Sequence, residues 1–173
     1  QRGIVLINGE AALIGSKVTE KDIVTVSGKH IKNNLDMVYL AFNKPVGIVS
    51  TTDQEIKNNI VDYINYPKRI FHIGRLDKDS EGLILMTNDG DIVNEVLRAE
   101  NNHEKEYIVH VEQRLSHDFC DKMAKGVPIL NTVTKPCIVE KIGDKSFKII
   151  LTEGLNRQIR RMCEYYGYNV THL

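Results

Sequence analysis

The feature that most limits what this chain can become is its rhythm of short apolar runs, each stopped by turn residues. Glu106-Tyr107-Ile108-Val109-His110-Val111 alternates from one residue to the next, the period of a half-buried strand. Val5-Leu6-Ile7 stops at Asn8-Gly9, and Ile23-Val24-Thr25-Val26 stops at Ser27-Gly28. Residues 38–42 stop at Asn43-Lys44-Pro45, and residues 70–73 at Gly74. Residues 83–87, 137–141 and 147–152 add three more strands. Helical spacing is rarer. It predicts a helix over 91–98, with Ile92, Val93, Val96 and Leu97 on one face, and another over 117–125, capped by Ser116 and closed by Gly126. A third runs over 157–166, where Ile159, Met162, Cys163 and Tyr166 form an i, i+3, i+4, i+7 stripe. Strands outnumber helices and come in hairpin-like series. The expected fold is therefore α+β, a mostly antiparallel mixed sheet with flanking helices.

Residues 1–32 read as a separate small unit, residues 33–37 as a linker and residues 38–173 as the main domain. The polar stretch 29–36, with Asn33-Asn34 inside it, is read as linker-like throughout. The chain opens without Met and closes on residues 169–173, which read as a strand just beginning, so we expect a piece of a longer protein.

Composition narrows the function. Lys+Arg and Asp+Glu both number 23, so any surface for a nucleic acid must be a local patch. Apolar runs such as Leu83-Ile84-Leu85-Met86 fall far short of the ~20 residues of a membrane span, and no signal-peptide pattern opens the chain. Cys120, Cys137 and Cys163 form no CxxC pair, which argues against structural zinc and fits a reducing cytoplasm, with the thiols read as small buried residues. Neither GxGxxG nor GxxxxGK[ST] occurs, so no nucleotide cofactor is suggested.

Three segments can carry chemistry. Asp77-Lys78-Asp79-Ser80-Glu81-Gly82 begins like a calcium loop, but Glu81 stands at the fifth position, Asn88 at the twelfth, and the flanks are strands instead of helices. An acidic turn remains the plain alternative, with Arg75 two residues ahead at a strand end, where sites collect. Asn156-Arg157-Gln158-Ile159-Arg160-Arg161 sets three cations at a helix start, against the helix dipole. They are either solvated or used: Arg157 and Arg161 for phosphates, and Arg160, at the edge of the buried stripe, for a carboxylate gripped by two N–H groups. Lys105-Glu106-Tyr107 sets an aromatic among charges in a strand; alone, Tyr107 reads as core. No histidine falls into a recognisable nucleophilic triad.

Together these segments resemble the RsuA/RluA superfamily of pseudouridine synthases. Asn43-Lys44-Pro45-Val46-Gly47 is similar to its first motif, and His72-Ile73-Gly74-Arg75-Leu76-Asp77-Lys78-Asp79-Ser80-Glu81-Gly82-Leu83 to its catalytic motif. Lys105-Glu106-Tyr107 is similar to its tyrosine motif, and residues 153–162 to its basic motif, all in the family's order. Residues 3–32 resemble the second half of the small αL RNA-binding domain that precedes the catalytic domain in the RsuA branch. Residues 103–109, 126–130 and 160–164 resemble a branch that modifies large-subunit (23S) ribosomal RNA, one relative of which also accepts tRNA.

The resemblance implies that Asp77 is the catalytic carboxylate. A nearby guanidinium keeps a buried carboxylate charged, and Arg160 is the implied partner. Tyr107 would stack on a flipped uracil, Leu173 would cover its other face, and Arg75 would fill the gap left in the RNA stack. Arg157, Arg161 and Lys105 would contact RNA, while Lys44-Pro45 would shape the site. Breaking the N1–C1′ bond and rejoining through C5 conserves every atom, so neither cofactor nor metal is implied. The expected partner is RNA, a 23S hairpin or a tRNA, met by a cytoplasmic monomer with no membrane. Competing readings are the same chemistry at another ribosomal RNA site, a non-catalytic RNA-binding or ribosome-assembly module, and, distantly, a glycosidase, which needs two carboxylates.

Overall fold

The computed structural model describes residues 4–19, 21–31, 36–98 and 102–173. The chain divides into two compact units, residues 1–36 and 37–173. In the first, β1 (Val5–Ile7) turns through Asn8 and Gly9, both at positive φ, into β2 (Glu10–Ala11). Strand β3 (Val24–Val26) pairs antiparallel with β1. Ser27-Gly28 then folds the chain back as β4 (Lys29–Ile31), which pairs Val24 with Ile31 and Val26 with Lys29. Residues 29–31 are thus a strand, contrary to the linker-like reading: a tight turn can recruit a polar segment into a ladder when its backbone N–H and C=O groups find partners. Of the predicted linker 33–37, residues 33–35 lie outside the described residues.

The second unit runs β5 (Tyr39–Lys44), α1 (Ile60–Ile64), β6 (Phe71–Ile73), β7 (Gly82–Thr87), α2 (Gly90–Leu97), β8 (Lys105–Val111), α3 (Phe119–Ala124), β9 (Pro128–Ile129), β10 (Thr132–Val133), β11 (Ile138–Gly143), β12 (Ser146–Leu151), α4 (Gln158–Tyr165) and β13 (Val170–His172). It holds a three-stranded sheet, β5-β7-β6, a four-stranded sheet, β11-β12-β8-β13, and the β9–β10 hairpin. Among the described residues every strand pair is antiparallel, and one isolated parallel bridge joins Val49 to Asn59. The expected α+β architecture stands. Two cores form. Ile60, Ile70, Ile84 and Met86 are buried beside the smaller sheet, and Val109, Phe119, Met123, Phe147, Ile149 and Met162 beside the larger. Cys163 is buried and Cys120 and Cys137 are half-buried, all as free thiols.

Several local expectations shift. Lys44 is the last residue of β5, not a turn residue. Helix α3 begins two residues later than predicted, because the Ser116 hydroxyl bonds the Asp118 carboxylate (2.7 Å) instead of capping the helix. Helix α1 and the β9–β10 hairpin have no counterpart among the predicted elements. Asn59 caps α1 by accepting from Asp62 N–H (2.8 Å), and Leu130-Asn131, both at positive φ, turn the hairpin.

Candidate active site

In the smaller sheet Lys44 pairs with Gly82, so the chain leaving β5 lies beside the chain entering β7. That register brings residues 44–50 against residues 74–81. Residues 77–80 close a tight turn through Ser80 N–H to the Asp77 carbonyl (3.1 Å). Gly47 N–H donates to the Lys78 carbonyl (2.8 Å), from a positive φ of 92° that glycine adopts without cost. The Ser50 hydroxyl donates to the Leu76 carbonyl (2.9 Å) and accepts from Leu76 N–H (3.2 Å). On the far side Glu81 N–H donates to the carbonyl of Leu173 (2.9 Å). Asp77 sits half-buried at the centre of these contacts.

Lys44 lies beneath the turn with no exposed surface. Its Nζ donates to the carbonyls of Pro45 and Ile48, both at 2.9 Å. Burial pushes this amine down from the ordinary lysine range, while the charges of Asp77, Asp79 and Glu81 pull it back up. Tyr107 pairs with Ile149 in the larger sheet and is half-buried against its core, as is Leu173. Burial raises the Tyr107 phenol above its usual range, and the negative charge of Asp77 adds to the rise.

Helix α4 closes the site. Arg160 donates from one Nη to the Asp79 carbonyl (2.8 Å) and the Ser80 hydroxyl (3.2 Å), while its buried Nε has no partner. In this structure Arg160 thus holds the turn by one backbone carbonyl and one side-chain hydroxyl. Arg157 stands at the N-cap with left-handed backbone and meets the Asp79 carboxylate at 3.3 Å. Arg161 folds back on Asn156, donating to its carbonyl (3.1 Å) and side-chain oxygen (3.3 Å). Gln158, buried, accepts from Leu155 N–H (3.0 Å) and donates to Glu153 (2.8 Å), which fixes the loop entering the helix.

The structure gathers Arg160, Arg157 and Leu173 by direct contacts around the turn that carries Asp77, while Tyr107 lies half-buried against the core of the larger sheet. Arg75 is exposed at the head of the turn, and Lys105 is exposed with Nζ on the His103 carbonyl (3.2 Å). Neither has a direct contact to the Asp77 carboxylate among the described residues. Ser50 and Gln158 are the residues that the sequence motifs do not point to, whereas Lys44 is expected only to shape the site. Among the described residues no cluster of three or more His, Cys, Asp or Glu side chains is arranged to hold a metal ion, and no helix is long and apolar enough to cross a membrane.

The family model described as RNA pseudouridylate synthase matches residues 38–165. The dual-specificity RNA pseudouridine synthase RluF of Salmonella typhi is 56% identical over the whole of this chain, which spans 61% of that relative's length. Ribosomal large subunit pseudouridine synthase B of Bacillus subtilis is 32% identical, again over the whole chain and over 74% of the relative. A crystal structure of a pseudouridylate synthase superposes with a TM-score of 0.75 at 26% identity, covering 99% of this chain and 76% of that one.

Proposed function

Since the chain belongs to the RNA pseudouridylate synthase family, we propose that it isomerises a uridine in a hairpin of large-subunit (23S) ribosomal RNA, with Asp77 as the catalytic carboxylate. The observation that carries this reading is the half-buried Asp77 on a turn held by Ser50 at Leu76, by Gly47 at Lys78 and by Leu173 at Glu81, with Arg160 on Asp79 and Ser80. The reaction breaks N1–C1′, rotates the base and joins C5 to C1′; the C5 proton leaves and N1 regains one. Positive charge builds on the sugar carbon as the base departs, and an ionised carboxylate beside it lowers that barrier. Covalent attack on C1′ and removal of a C2′ proton both use Asp77 in that charged form.

A uracil must leave the stack to reach such a site. Tyr107 stacks on the flipped base and takes part in loss of the C5 proton, Leu173 covers the opposite face, and Arg75 enters the vacated stack. Arg160 is the charge partner of Asp77: one Nη already anchors the turn, and its Nε is an unpartnered donor available to a carboxylate. Arg157, Arg161 and Lys105 meet phosphates, Arg157 by exchanging its contact with Asp79 for one with RNA. Residues 1–32 serve as the second half of an αL RNA-binding domain. The protein works as a cytoplasmic monomer with no cofactor. A tRNA is the second substrate, a reading favoured by the dual specificity named for the Salmonella relative.

The full-length protein is expected to release tritium from a ribosomal hairpin labelled at C5 of uridine, and Asp77→Asn to abolish release. Equal release by the variant overturns Asp77 as the catalytic group. Mapping carbodiimide-reactive pseudouridines in a deletion strain identifies the target; a complete set of modified sites in that strain overturns a unique ribosomal role.

A further inference from the structure

The backbone on both sides of Asp77 is held by one segment, residues 47–50. Gly47 takes the carbonyl of Lys78, the residue after Asp77. Ser50 takes both the N–H and the carbonyl of Leu76, the residue before it. The two attachments are unlike in kind. The first is one backbone bond. The second is a reciprocal pair made by the single hydroxyl of a buried residue, Ser50 being 7% exposed, so its loss leaves both groups of Leu76 without that partner. The segment is itself stiffened from below, since the buried Lys44 amine ties together the carbonyls of Pro45 and Ile48. Its far end is fixed by backbone bonds from Val49 N–H to the Asn58 carbonyl (2.9 Å) and from Ile60 N–H to the Val49 carbonyl (2.9 Å).

The geometry points to Ser50 as a positioning residue for Asp77. This inference rests on the proposed role of Asp77 and adds the device that aims it. The carboxylate is carried on a turn, and turns are otherwise the most mobile elements of a fold. A hydroxyl closing both hydrogen-bonding groups of residue 76 removes the peptide rotation that would swing residue 77. Reactions of this kind depend on sub-ångström placement, and a shift of about 1 Å can cost on the order of a hundredfold in rate.

The test uses the full-length protein and a uridine hairpin under single-turnover conditions at saturating RNA. Ser50→Ala is expected to lower the rate of the chemical step about 10- to 100-fold, with the Kd for RNA changed by less than about twofold. Exchange of the Leu76 amide with deuterium should accelerate in the same variant. Ser50→Thr, which keeps the hydroxyl, should recover most of the rate. A Ser50→Ala rate equal to wild type overturns the proposal. So does a loss of rate matched by equal losses of RNA affinity and melting temperature. Should Ser50→Ala not fold, Ser50→Thr and Ser50→Val, alike in shape, carry the comparison: Thr faster than Val supports the proposal, and equal rates overturn it. Absence of tritium release from the wild-type protein, or its persistence in Asp77→Asn, would instead overturn the reading on which the inference rests.

Discussion

Helices α2 and α4 are of equal length, and they obey opposite rules. Helix α2 is capped by the Asp89 carboxylate, which accepts from Asp91 N–H (3.0 Å) and Ile92 N–H (3.4 Å), and carries Asp91 in its first turn. Both features suit the positive end of a helix dipole. Yet α2 has no fully buried residue. Helix α4 starts at an arginine in left-handed backbone, has no side-chain cap bond and no acid in its first turn, and sets Arg160 and Arg161 near its positive end. It nonetheless buries Gln158, Ile159, Met162 and Cys163 and grips the acidic turn. The locally favourable helix lies at the periphery; the locally unfavourable one is held by tertiary contacts at the site. Local rules broken where long-range contacts compensate mark places under functional constraint.

The contrast breaks most readily in the cores. Met162 has no exposed surface, so Met162→Ala in α4 should cost ~2–5 kcal/mol in urea unfolding. Val96 in α2 is only half-buried, and Val96→Ala should cost less than about 1 kcal/mol. Equal costs at the two positions would mean that α2 is as deeply integrated as α4, and the contrast would be lost.

The two N-caps sharpen it on a smaller scale. Asp89→Ala removes a working cap and should destabilise by about 1 kcal/mol. At Arg157 the backbone is the burden, since a φ of 51° costs an L-residue on the order of 1 kcal/mol that glycine avoids. Arg157→Gly should therefore be more stable than Arg157→Ala by about that amount, although both lose the same ion pair. Identical melting temperatures for the two would show that the left-handed cap carries no strain. Both variants should flatten the salt dependence of RNA binding by about one phosphate contact.

The same distinction explains what the sequence disclosed. Strands with turn residues at their ends, and the apolar stripe of α4, repeat at fixed periods and can be read locally. So could α1 have been: Asn59 with Asp62 three residues on is a capping pattern, although five helical residues are too few to show a stripe. The supports of the acidic turn leave no such trace. Lys44 reads as a turn residue until two carbonyls satisfy its buried amine. Ser50 meets Leu76 across 26 positions, and Arg160 meets Asp79 across 81. Nothing in a linear pattern distinguishes such a serine from one in solvent. The motifs carried the resemblance, while the Ser50 and Arg160 bonds that hold the turn are non-local.

Helix α3 is the intermediate case, and it gives the smallest effect. Asp118 occupies its N-cap, but its carboxylate makes no capping bond and instead joins Lys122 (2.5 Å) and Ser116 (2.7 Å). The hydrogen bond from Lys122, then that from Ser116, holds the carboxyl down at about 2. A folded value below the ordinary 3.8 means that the unfolded chain takes up the proton first, so the stabilisation is complete above about pH 4 and disappears as pH falls through about 2. The pair is open to solvent, which screens it, so the effect on melting is small. Asp118→Asn should melt slightly below wild type near neutral pH, with the gap closing between about pH 4 and pH 2. A gap that stays constant through that range would show that Asp118 acts through backbone geometry at the helix start and not through its charge, which would move α3 to the side of α4.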